Sequence, residues 1–127
     1  MLFQLCSSRL RFAVLALALS TGCQSATLTG TWTGTFTSPS NLRVRFVLEE
    51  QGGKLRGQTY WEDPNTRALE PEAGELVGAV TDGGASWKTQ GEVEVEGRFD
   101  GNTFVGTLTF PAFDDQPSRS AALKLAR

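Results

Sequence analysis

The sequence has no histidine at all, and only two cysteines, one methionine and one tyrosine. Without histidine it lacks the usual general base at neutral pH and the commonest metal ligand. No Ser-His-Asp or Cys-His arrangement can be assembled from it. Both cysteines, Cys6 and Cys23, lie near the N-terminus, so everything after Cys23 has neither thiol nor disulfide. A hydrophobic core alone must hold that part together, which a domain of about 100 residues can manage. Long apolar runs are scarce as well. The longest, Phe12–Leu19, is far short of the roughly twenty residues that cross a bilayer as a helix. No segment keeps a helical hydrophobic period, and no glycine loop precedes a helix to cradle phosphate.

The N-terminal segment is read as a targeting leader rather than as structure. Arg9 and Arg11 precede the apolar run Phe12–Leu19, and small residues follow it; basic region, short apolar region and small residues make a secretory signal peptide. The run ends Leu19-Ser20-Thr21-Gly22-Cys23, which resembles the lipobox of bacterial lipoproteins, with Ser20 where that family usually has leucine. The resemblance implies that residues 1–22 are removed. Cys23 then becomes the new N-terminus and carries lipid, a diacylglyceryl group with acyl chains of the palmitate type. Residues 23–27 form a short tether. The alternative is ordinary secretion with cleavage near Gly22. Taking Arg9 and Arg11 from the twelve basic residues leaves ten against fourteen acidic ones, a net charge of −4. That balance argues against nucleic acid as a partner.

From residue 28 the pattern is β throughout. Leu28–Thr37 alternates Leu28, Gly30, Trp32, Gly34 and Phe36 with an unbroken series of threonines, the mark of a half-buried strand. Further alternating runs are Leu42–Gln51, Lys54–Trp61, Glu75–Val80, Ala85–Gln90, Glu92–Phe99, Thr103–Phe110 and Arg119–Arg127. Gly52-Gly53, Asp82-Gly83-Gly84 and Asp100-Gly101-Asn102 supply tight turns. The pattern predicts an all-β domain over 28–127, an eight-stranded antiparallel up-and-down β-barrel closed by the first and last strands. A two-sheet β-sandwich is the alternative. The inward glycines are read as bends, or else as space left for a ligand.

In such a meander the glycine turns fall at one end, and the long stretches Glu62–Gly74 and Pro111–Ser118 at the other. The first strand starts at the glycine-turn end, so a lipid on Cys23 turns that end to the membrane and the long loops away from it. A single helical turn near Thr66–Leu69 is allowed for. Binding function on β scaffolds concentrates in such loops, and the candidate binding residues there are Trp61, Glu62, Asp63, Arg67, Phe113, Asp114 and Asp115. The carboxylates Glu62, Asp63, Glu70, Glu72, Asp114 and Asp115 lack the regular short offsets of a calcium loop and read as solvated acidic loops. Neither an enzyme active site nor a metal or other cofactor is expected. Trp32, Trp61 and Trp87 point inward, as core or as the lining of an apolar cavity. Their indole nitrogens need partners when buried, for which Thr59 and Thr89 are at hand.

Gly30-Thr31-Trp32 in the first strand, eight meander strands and a basic residue in the last are similar to the calycin barrels, the lipocalin and avidin superfamily. The resemblance implies that Trp32 packs across the barrel base beneath Arg127 or Lys124. The functional expectation is a lipoprotein of the bacterial cell envelope, exported across the inner membrane and periplasm-facing or in the outer membrane. It is anchored in the membrane through Cys23 and binds an envelope protein through its long-loop end. The alternatives are a carrier of a small apolar ligand inside the barrel and a periplasmic enzyme inhibitor.

Overall fold

A computed structural model describes residues 27–37 and 41–127. The leader, residues 23–26 of the tether and residues 38–40 lie outside the described residues. The strands are β1 (Gly30–Thr37), β2 (Asn41–Gln51), β3 (Lys54–Glu62), β4 (Leu69–Pro71), β5 (Leu76–Thr81), β6 (Gly84–Lys88), β7 (Glu94–Asp100), β8 (Thr103–Phe110) and β9 (Arg119–Ala126). No helix occurs among the described residues. The strands pair antiparallel in the order β2-β1-β9-β8-β7-β6-β5-β3, with β3 pairing back onto β2. Eight strands therefore close into an up-and-down barrel, with β4 as one extra strand. Closure leaves the ring no open edge.

The alternation in the sequence becomes an inside and an outside. Trp32 and Phe36 of β1, Val44, Phe46 and Leu48 of β2, and Ala121, Leu123 and Leu125 of β9 are buried in one core. Burying each large side chain contributes about 1.5–3 kcal/mol. Phe46, Trp87 and Phe104 pack in series through the middle, with ring centroids 5.2 Å apart at each step. The inward glycines hold no free space. A Cβ at Gly34 would lie 1.7 Å from the Lys124 carbonyl oxygen, and one at Gly97 would lie 2.8 Å from Cζ of Phe104. Backbones and rings from neighbouring strands fill those positions, as a tightly coiled sheet requires.

Three places differ from the sequence pattern. β1 begins at Gly30 rather than Leu28, because Gly30 has φ +143° and breaks the extended run. Leu28 is nevertheless buried. The stretch after β3 has no helical turn at 66–69. Residues 64–66 form a turn and Leu69–Pro71 forms β4, which pairs with Tyr60–Glu62 beyond the point where β5 leaves β3. The β6–β7 corner is wider than the single glycine at 91 suggests. Glu92 takes φ +66°, and its N–H donates to the Thr89 carbonyl (2.9 Å), so β7 begins only at Glu94.

The two ends of the barrel are unlike. At one end lie the glycine turns at 52–53, 82–83 and 101–102, together with the segment Thr27–Thr29 and the final residue. Leu28 N–H donates to Glu50 Oε1 (2.7 Å) there. Arg127 closes the same end. Its guanidinium lies 4.6 Å over the Trp32 ring and donates to the carbonyls of Thr27 (2.7 Å), Thr29 (3.1 Å) and Gly101 (3.2 Å) and to Asn102 Oδ1 (3.1 Å). Trp32 Nε1 donates to the Leu28 carbonyl (2.9 Å). Lys124 faces outward and is exposed.

Candidate functional site

The opposite end gathers the irregular chain. The inward side chains at the tops of β1, β3 and β8 meet there as an aromatic collar. Phe36 and Trp61 pack edge-to-face at 5.9 Å, Phe36 and Phe110 lie 5.7 Å apart, and Trp61 and Phe110 lie 6.2 Å apart. Trp61 and Phe110 are only half-buried. The Arg119 guanidinium lies 5.3 Å over the Phe110 ring. Beneath the collar Phe46 sits 6.4 Å from Trp61.

Trp61 thus belongs to the mouth of the barrel, whereas Glu62 turns the other way and is engaged within the chain. It is not a solvated loop carboxylate, for its side chain is wholly buried. Glu62 Oε1 accepts the Arg43 N–H (2.7 Å) and lies 3.5 Å from Arg43 Nε. Oε2 makes no well-aligned hydrogen bond and faces Arg67 Nε as an ion pair. The Arg43 backbone bond holds the carboxyl below its ordinary pKa; burial opposes this, and the charges of Arg67 and Arg43 reinforce it. Arg67 reaches this place because it adopts φ +65° at the close of a tight loop. In that loop Asp63 N–H donates to the Ala68 carbonyl (2.8 Å), Arg67 N–H donates to the Asp63 carbonyl (2.7 Å), and Asp63 Oδ1 accepts Asn65 N–H (2.8 Å). Arg43 also donates to the Arg67 carbonyl. Glu62 and Asp63 therefore shape the loop that carries Arg67.

Phe113, Asp114 and Asp115 occupy the second loop. Phe113 and Gln116 exchange backbone bonds, Phe113 N–H to the Gln116 carbonyl (3.0 Å) and Gln116 N–H to the Phe113 carbonyl (2.8 Å). Asp114, at φ +53°, and Asp115 form the tip. Phe113 is 72% exposed, the most of the exposed large hydrophobic residues described. Glu70 stands on β4 opposite Trp61. Glu72 Oε2 accepts Gly91 N–H (3.0 Å), tying the segment after β4 to the β6–β7 corner.

The interior contains polar groups without partners. Thr59 Oγ1 and Trp87 Nε1 are buried and unbonded, while Thr89 Oγ1 accepts Val93 N–H (3.2 Å). The expected pairing of these threonines with indole nitrogens therefore fails at Trp87, and Trp32 uses a backbone carbonyl instead. Phe46 lies directly across from Thr59 in register and packs on the Trp87 ring. Alternation alone marks Thr59, Thr89 and the tryptophans as inward but carries no signal for which hydroxyl meets which indole. The role of Arg43 is equally hidden, since an outward arginine on a strand looks like any solvated charge. No group of three or more His, Cys, Asp or Glu among the described residues is placed to hold a metal ion. No protein-family model, curated protein or solved structure matches the chain.

Proposed function

We propose that this is a lipoprotein of the bacterial cell envelope, held in the membrane through Cys23, that binds a partner protein with its long-loop end. The observation that carries the reading is the separation of the two ends. Thr27, at the glycine-turn end, follows Cys23 by four residues, so a lipid on Cys23 keeps that end within roughly 14 Å of the membrane. The aromatic collar, Arg67 and the exposed Phe113 then face away from it. Phe113 is presented on a turn closed by its own backbone bonds, so little ordering cost accompanies its insertion into a partner. The test is a photo-crosslinking side chain placed at Phe113 or at Gly53 in the intact cell envelope. The reading expects one discrete adduct from position 113 and none from 53; adducts from both positions, or from 53 alone, would reverse the assignment of the ends.

A second reading, a carrier of a small apolar ligand, is favoured by one observation, the unbonded Thr59 Oγ1 and Trp87 Nε1 beneath a half-open aromatic collar. Buried polar groups are normally satisfied, and a ligand bearing hydrogen-bond acceptors would satisfy both. Native mass spectrometry of the purified protein decides this. Bound mass that disappears on denaturation supports a carrier, and the bare chain mass opposes it.

A further inference from the structure

The closed ring is shorter on one side than on the others. β3 runs up to Glu62, but its ring neighbour β5 pairs only with residues 54–57. Above that level residues 60–62 pair with β4, which has no second strand partner. Facing them, β6 and β7 stop pairing at Lys88 and Glu94. A seam therefore runs up the wall between β3 with β4 on one side and the β6–β7 corner, residues 89–93, on the other. Residues 72–75, which lead from β4 to β5, lie in this seam.

That segment is held mainly by β3. Glu72 N–H donates to the Thr59 carbonyl (2.8 Å), and Gln58 Nε2 donates to the carbonyls of Glu72 and Gly74. Among the described residues one hydrogen bond crosses to the corner, Gly91 N–H to Glu72 Oε2 (3.0 Å). Gly74, at φ +87°, rests its backbone on the Gln90 side chain; a Cβ there would lie 2.7 Å from Gln90 Cγ. The corner also holds Glu92 at φ +66°, a backbone region that side chains other than glycine rarely adopt. Residues 73–75 and 90–92 are exposed, so little burial keeps the seam shut.

Behind the seam lie the two unpartnered interior groups, one from each of its walls. Thr59 on β3 and Trp87 on β6 are 1% and 3% exposed, yet Thr59 Oγ1 and Trp87 Nε1 have no partner. Phe46 borders both, opposite Thr59 in register and 5.2 Å from the Trp87 ring. Leaving such groups unbonded is costly, which favours a visitor that can bond them. The mouth is the poorer way in, because Phe36, Trp61 and Phe110 pack on one another across it with Phe46 beneath.

We propose that the barrel is entered from the side. Residues 72–75 form a flap latched by Glu72. A small apolar molecule bearing hydrogen-bond acceptor oxygens passes through the seam to Trp87 Nε1 and Thr59 Oγ1. The ligand rests on the carrier reading above, whereas the opening is measured without one.

The test uses the full-length chain in membranes with Thr59→Cys, labelled by N-ethylmaleimide. Mass spectrometry of the peptide carrying residue 59 gives the rate free of any other thiol. Leu123→Cys, buried on β9 midway round the ring from the seam, reports opening of the whole barrel. Glu72→Ala should raise labelling at residue 59 about fivefold, the factor expected for losing roughly one hydrogen bond, and leave residue 123 unchanged. Glu72→Gln, which keeps an acceptor oxygen, should raise it less. Phe110→Ala, which opens the mouth, should leave the rate at 59 unchanged relative to 123. An equal rise at 59 and 123 with Glu72→Ala, or a rise at 59 with Phe110→Ala as large as with Glu72→Ala, would overturn the side entrance. If the rates behave as expected but native mass spectrometry shows the bare chain, the carrier reading fails and the flap stands. If bound mass is found and Glu72→Ala changes nothing, the flap alone fails.

Discussion

Glu62 ties the acid stability of the barrel to one buried carboxylate. Its folded pKa is depressed, first by the Arg43 backbone bond and then by the two arginine charges. The stabilisation it brings is therefore complete above its unfolded value and is lost as the pH falls through the folded value. Glu62→Gln should flatten the fall in melting temperature on acidification; an unchanged acid limb would mean that another carboxylate is responsible. Thr59 discriminates between the two readings of the interior. With no partner for its hydroxyl, Thr59→Val should leave stability in urea unchanged or raise it by about 1 kcal/mol. A loss instead would indicate that the hydroxyl is satisfied by something held inside the barrel.

At the level of strands, the sequence announces most of the architecture because one physical rule dominates it. A strand with one face in a core and one in water must alternate, and Val93, Val95, Ala121, Leu123 and Leu125 do so plainly. Turns are equally legible where two glycines adjoin, since Gly52 and Gly53 both adopt positive φ. β4 is not readable in this way. Three residues are too few for a period, and the strand, which ends on Pro71, exists only because the upper half of β3 would otherwise stand unpaired. The burial of Glu62 is hidden for a similar reason: it depends on the Arg43 N–H across the sheet and on Arg67 folding back. The glycines give the clearest mutational contrast. Gly34→Ala drives a methyl group into the Lys124 carbonyl and should cost about 3 kcal/mol of unfolding free energy. Gly83→Ala meets open space at φ +68° and should cost about 1–2 kcal/mol, the backbone penalty alone. Equal losses at the two positions would mean that the sheet relaxes around the added methyl.

For the whole molecule, the absence of disulfides after Cys23 and the closed sheet together mean that the barrel stands or falls as a unit. If Cys23 carries the proposed anchor, Cys23→Ser should release the protein from the membrane fraction with its melting temperature unchanged; retention in the membrane would overturn that anchor. The placement of Arg127 has a mechanical consequence. If a partner held at Phe113 is pulled away from an anchored Cys23, the force enters β1 from below and β9 from above. These strands are antiparallel neighbours, paired from Thr33–Ala126 to Phe36–Leu123, so their hydrogen bonds are loaded together in shear and cannot be unzipped one at a time. Arg127 grips Thr27 and Thr29 at the point where tension first arrives and works as a cleat. A single-molecule pulling experiment between residues 23 and 113 should find the rupture force lowered by Arg127→Gln, and an unchanged force would place the mechanical clamp elsewhere in the ring.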